Sequence, residues 1–144
     1  MKVPIECITR ENFAPFGDIL EFPPNIPRGG KNDFQILIEE KEAPWRIAVR
    51  RFNNRDISAV GCHPDSRETF EPLYGASVLI VSEYDTPQEL KAFFLDKPVC
   101  LKKSIWHHTI ALSEEAALKI TENLEVGSEW MQLSEPVSAA LCSQ

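Results

Sequence analysis

Short runs in which apolar and polar residues take turns dominate the chain, separated by prolines, glycines and charged pairs. Side chains on a strand point alternately to its two faces, so such runs predict half-buried strands. The pattern places strands over residues 3–8, 18–22, 34–39, 45–52, 57–62, 69–73, 77–84, 99–101, 105–112, 118–123 and 130–133. In the 45–52 run, Arg46, Ala48 and Arg50 alternate with Ile47, Val49 and Arg51. Two segments read as helix. Residues 9–16 accommodate a turn or two, with Thr9 or Asn12 as cap and Gly17 as the break. The firmer helix begins at Thr86-Pro87-Gln88-Glu89, a capping box with proline at the first helical position. Leu90, Phe93 and Phe94 continue it as an apolar stripe, and Asp96-Lys97-Pro98 ends it. Residues 23–33, with three prolines and the Gly29-Gly30 pair, form the clearest loop. Many short strands with one or two short helices predict an all-β barrel or sandwich. Nothing divides the 144 residues, so one domain over 1–144 is expected.

Composition narrows the function classes. Hydrophobic residues at 43% and charged residues at 26% are ordinary for a folded protein and argue against disorder. Fifteen basic against 22 acidic residues give a formal charge of −7, which argues against nucleic-acid binding. No apolar stretch approaches the roughly 20 residues that span a bilayer. The opening MKVPIECITREN lacks the apolar core of a signal peptide, so a cytoplasmic protein without membrane partners is expected. Cys7, Cys62, Cys100 and Cys142 form no Cys-x-x-Cys pair, which disfavours structural zinc and predicts free thiols.

The candidate chemistry lies with the three histidines. His63 ends one predicted strand, and His107 and His108 sit together in another, after Trp106. Adjacent strand residues face opposite ways, so only one of that pair can share an interior with His63. The spacing His63-x4-Glu68-x6-Gly75 matches the second half of the first cupin motif, in which His and Glu bind a divalent metal and Gly permits a turn. Gly61 stands where that motif has its first His. Ser104-Ile105-Trp106-His107 resembles the second cupin motif, with Ser104 at the usual Gly. This register points His107 inward; the competing one groups Trp106, His108, Ile110 and Leu112 on a more apolar face.

More specifically, the chain resembles the ureidoglycolate lyase family (formerly ureidoglycolate hydrolase), a cupin branch of allantoin degradation. The resemblance is carried by Asn12 to Glu21, His63-Pro64, Phe70 to Pro72 before Gly75, Leu90-Lys91-Ala92-Phe93 and Ile105-Trp106-His107-His108. It covers about four fifths of the chain. It implies a cupin double-stranded β-helix, a jelly-roll-like barrel, usually dimeric, that cleaves ureidoglycolate to glyoxylate and urea with a divalent metal implicated. The chain departs from the family at Glu68, where Gln is common, at Leu101 in place of Tyr, and at Glu122-Asn123 in place of Asp-Arg. Arg51 aligns with a family arginine.

Together these readings make His63, Glu68 and His107 the candidate metal ligands and catalytic residues. A buried carboxylate is costly unless a metal or cation pairs with it. Arg51, whose fork suits a carboxylate, Trp106, as an aromatic wall, and His108 are the candidate substrate-binding residues. The blander readings are a surface strand for Glu68, a surface ion pair for Arg51 and core packing for Trp106. Lys102-Lys103 reads as an exposed pair. The expected partners are a small carboxylate substrate and a second copy of the chain, with Ile5, Ile19 and Trp130 as candidate cover for a homodimer. The competing classes are a lyase or isomerase of another small hydroxy or keto acid, and a non-catalytic cupin that binds a small carboxylate.

Overall fold

The computed structural model describes residues 1–140; Cys142 lies outside the described residues. The chain runs β1 (Lys2–Cys7), α1 (Arg10–Phe13), β2 (Gly17–Ile19), β3 (Trp45–Phe52), β4 (Ile57–Cys62) and β5 (Glu68–Tyr74). It continues with β6 (Ser77–Ser82), β7 (Lys91–Phe94), β8 (Val99–Leu101), β9 (Trp106–Ala111), β10 (Ala116–Asn123) and β11 (Glu129–Ala140). Strands β1, β11, β4, β9, β6 and β7 close a barrel, and β2, β8, β5, β10 and β3 form a second sheet in that order. The result is an all-β, cupin-type jelly roll: the alternation predicts the all-β class, and the resemblance implies the cupin type.

Two apolar cores follow from this topology. One fills the space between the second sheet and the barrel wall, joining Phe52, Phe70, Leu101 and Leu118 to Leu79, Val81 and Phe93. The other lies inside the barrel and holds Val60, Val78, Ile80, Ala92, Trp106, Ile110 and Val137. β6 serves both cores, so all six of its residues are buried, the near-continuous apolar pattern of a strand covered on both faces.

Local sequence explains the short helix well. Thr9 caps α1, its hydroxyl accepting from Asn12 N at 3.0 Å while Asn12 Oδ1 accepts from Thr9 N at 2.8 Å. Each such cap contributes about 1 kcal/mol. Gly75, read as a turn glycine, has φ +76, and a Cβ there would collide with the Glu115 carbonyl.

Two predicted elements are corrected. The helix expected from Thr86 is a pair of turns, closed by Thr86 N to Glu83 O and Glu89 N to Thr86 O, followed by β7. Ala92 faces the barrel core and Phe93 the inter-sheet core, both fully buried, and pairing with β1 and β6 overrides the helical spacing. Residues 34–39 make no strand; they run exposed past the outer face of the second sheet, with Phe34 87% exposed. Among the proposed dimer cover, Ile19 belongs to the inter-sheet core and Ile5 packs partly on the barrel core, leaving Trp130 exposed. Cys7 is exposed, and Cys62 and Cys100 are buried; all three are free thiols. No helix is long and apolar enough to cross a membrane among the described residues.

Candidate active site

Three side chains from the two facing layers meet in the inter-sheet space. His63 follows β4 and His107 lies on the adjacent β9, with Gly61 and His107 directly paired. Glu68 opens β5 in the opposite sheet. Glu68 Oε1 lies 2.8 Å from His63 Nε2 and 3.5 Å from His107 Nε2. The imidazole centroids are 5.1 Å apart, and Phe70 meets His107 edge-on at 5.5 Å.

The remaining ring nitrogens are committed to backbone. His63 Nδ1 lies 3.1 Å from the Gly127 carbonyl and His107 Nδ1 lies 2.9 Å from the Ile105 carbonyl. A carbonyl only accepts, so each Nδ1 carries the proton and each Nε2 is turned to Glu68. The loop after His63 is tied down in turn. Ser104 N donates to the His63 carbonyl at 3.0 Å, Asn123 N to Ser66 Oγ at 3.0 Å, and Gly127 N to Asp65 Oδ1 at 3.2 Å. Ser104 reaches its carbonyl from φ 67, a left-handed conformation that suits the glycine usual at this motif position.

Burial alone would push the Glu68 carboxyl upward, but the facing His107 and His63 rings outweigh it and bring its pKa to about 2. The same contact with Glu68 raises the His63 pKa against the opposing effect of burial. Among the described residues Glu68 Oε1 is nonetheless left without a hydrogen bond of good geometry. Two imidazole Nε2 atoms and an orphaned carboxylate oxygen, all within 4.8 Å of one another, form a donor set that fits a divalent ion. The Nδ1 bonds to carbonyls are the outer contacts that orient metal-binding histidines.

The other proposed residues are not brought to the cluster. Arg51 is exposed on the outer face of β3. Its neighbour Arg50 turns inward instead, donating to Thr109 Oγ1 at 2.7 Å and lying 4.9 Å over the Phe52 ring. Burial lowers the Arg50 pKa, and Glu68 opposes that shift. Trp106 is 7% exposed in the barrel core, its Nε1 bonded to the Tyr84 carbonyl at 3.2 Å. His108 pairs with Ile80 on that barrel face, whereas His107 pairs with Val81 on the inter-sheet face. Strand alternation is the reason in each case. The more apolar face of β9 is thus a second core.

The sequence pattern gives no site role to Arg50, Thr109 or Glu122 and takes Trp130 as dimer cover. Arg50 was signalled by its shared parity with Phe52. Glu122 stands cross-strand from Glu68 and accepts from Arg46 at 2.9 Å (Nε); only strand pairing reveals it. An apolar groove of about 630 Å³ lies elsewhere, on the outer face of the second sheet beneath residues 34–43. It contains none of the three clustered side chains and lacks their chemistry.

Comparison with known proteins bears on this site. A solved structure titled capsular polysaccharide assembling protein CapF from Staphylococcus aureus matches with TM-score 0.50 and 13% identity. It covers 59% of this chain but only 25% of that longer one, a likeness of fold alone. A curated relative named ureidoglycolate lyase from Rhizobium etli is 26% identical over 142 aligned positions, 86% of each chain. One of the same name from Brucella ovis is 29% identical over 128, covering 77% of this chain and 76% of its own. The family model described as ureidoglycolate lyase matches residues 1–135, and the chain therefore belongs to the ureidoglycolate lyase family.

Proposed function

We propose that this protein cleaves ureidoglycolate into glyoxylate and urea, with His63, Glu68 and His107 as the catalytic, metal-holding centre. The observation that carries the reading is the convergence of two oriented Nε2 atoms on the buried, orphaned Oε1 of Glu68. Membership of the family supports the choice of reaction.

Ureidoglycolate carries a hydroxyl and a ureido nitrogen on one carbon, next to a carboxylate. Cleavage breaks the carbon–nitrogen bond, forms the aldehyde C=O and transfers the hydroxyl proton to the departing nitrogen. A divalent ion held by His63, Glu68 and His107 would supply Lewis acidity at the substrate hydroxyl. Arg50 binds the substrate carboxylate, its guanidinium already oriented by Thr109 and Phe52. Glu122, on the same face as Glu68, takes the hydroxyl proton and returns it to the urea nitrogen. Arg46 orients the Glu122 carboxylate through hydrogen bonds to its Oε2. Phe70 closes the inner side of the site to water.

The reading includes a cytoplasmic homodimer acting in allantoin breakdown. Trp45, Ile47 and Val49, exposed in a row on the outer face of β3, support a covered surface there. Sedimentation showing only a 16 kDa species at micromolar concentration would remove the dimer. The reaction is tested by urea release from ureidoglycolate with protein purified without a metal-affinity tag, alongside metal analysis. Release that is lost on chelation and restored by a divalent ion is expected. Folded, metal-replete protein that releases no urea would overturn the assignment.

A further inference from the structure

Trp130, Gly61 and His107 stand in a row across β11, β4 and β9, each directly opposite the next. Directly paired residues project to the same face of a sheet, and His63, two positions beyond Gly61, shares that face. The six-membered edge of the Trp130 indole lies over the bare Gly61 backbone. A Cβ on Gly61 would sit 3.1 Å from its Cζ3 and 3.2 Å from its Cε3. The ring therefore covers the space that a side chain at position 61, the place of the motif's first histidine, would fill. Its neighbour Glu129 turns the other way, accepting from Tyr84 Oη at 2.8 Å on the barrel-core side. Residues 127 and 128 of the same segment contact His63 Nδ1. Trp130 nevertheless remains 68% exposed, a large aromatic surface facing solvent beside the His–Glu cluster.

We propose that Trp130, seated over Gly61, is a specificity-determining residue: the wall on which the flat, uncharged ureido end of the substrate rests. The identity of that end rests on the ureidoglycolate reading; the position of the wall beside the metal-holding cluster does not. The carboxylate end goes to Arg50 and the planar amide end to the indole, so the two ends are sorted by charge and by shape. Planar amides stack on aromatic faces, whereas a hydrated carboxylate gains little there. Gly61 is part of the device because a side chain there would have to displace the ring.

The test uses the full-length protein with Trp130→Ala, Trp130→Phe and Gly61→Ala. Trp130→Ala is expected to raise KM for ureidoglycolate about tenfold, with kcat within about threefold. It should weaken product inhibition by urea and leave inhibition by glyoxylate unchanged, with Trp130→Phe intermediate. Mn²⁺, a paramagnetic quencher, should quench the part of the tryptophan emission that Trp130→Phe removes. Sedimentation should be the same for all forms. An unchanged KM and urea inhibition in Trp130→Ala would overturn the wall. A shift in sedimentation with KM unchanged would overturn it too, assigning Trp130 to contact with a second copy. If wild-type protein does not turn over ureidoglycolate, that reaction fails alone. Quenching of the Trp130 emission by Mn²⁺ then retains the wall for another substrate, and its absence overturns it.

Discussion

The two faces of β9 have opposite fates. Toward the barrel interior it presents Trp106, His108 and Ile110; Trp106 and Ile110 pack with Val60, Val78 and Ile80 into an apolar core, and Trp106 Nε1 donates to the Tyr84 carbonyl. Toward the facing sheet it presents His107 and Thr109, which meet Glu68 and Arg50. The same six residues thus build a core on one side and a site on the other. A core is finished once its volume is filled. The inter-sheet space is filled too, by Phe70, Leu79 and Phe93, except where charged atoms are left near one another but incompletely paired. Burying charge in this way costs stability; the pairing of cost with preorganised donors is the mark of a working site.

The largest expected effect separates these faces. Glu68→Ala should cut ureidoglycolate cleavage by at least about 10³-fold, several kcal/mol of lost transition-state stabilisation. It should weaken metal affinity by well over tenfold, beyond the loss typical of outer contacts, while thermal stability changes little. Ile110→Ala, on the other face of β9, should do the reverse: about 2–5 kcal/mol of stability lost, with metal affinity held. Chemical denaturation and metal titration of both variants check this. Loss of stability in Glu68→Ala comparable to that in Ile110→Ala would break the distinction.

That division explains what could be read from the sequence. His63, Glu68 and Gly75 were legible because local spacing carries them along one connected stretch. The strands were legible wherever one face is wet. β7 was not, because both its faces are buried and Leu90, Phe93 and Phe94 then mimic a helical stripe. The choice between His107 and His108 was hard for the same reason, since a second core makes the apolar side of β9 a false guide. Alignment with the family points to Arg51, whereas Arg50 shares parity with the buried Phe52. Glu122 and Trp130 are set opposite Glu68 and Gly61 by long-range strand pairing, for which the sequence carries no local signal.

A smaller effect sharpens the same contrast on the neighbouring β10. Glu122→Gln removes the proposed proton carrier but keeps shape, and kcat should fall by about 10²-fold or more with metal affinity unchanged. Stopped assays of urea release at saturating substrate measure it; a kcat within about threefold of wild type would take Glu122 out of the mechanism.

Adjacent arginines give the next comparison. Arg50→Ala should raise KM by about 10–100-fold, the loss of a charged hydrogen bond worth about 1.5–3 kcal/mol. Arg51→Ala, on the exposed face, should leave KM within about twofold. Equal effects of the two substitutions would mean that the inward face of β3 does not bind substrate.

The smallest effect concerns the turn that sets the two histidines side by side. Ser104 holds φ 67 while its N–H bonds the His63 carbonyl, and among the described residues no hydrogen bond from its hydroxyl offsets the strain. A left-handed non-glycine residue costs about 1–2 kcal/mol, and glycine gives back roughly 0.5–1 kcal/mol through its freer unfolded chain. Ser104→Gly should therefore stabilise the protein by up to about 1 kcal/mol, seen as a rise of about 2–4 °C in Tm. The bond to His63 uses only backbone, so KM and metal affinity should stay as they are. A lower Tm would show that the Ser104 side chain supports the turn; a changed KM with a higher Tm would show that strain at Ser104 positions His63 against His107.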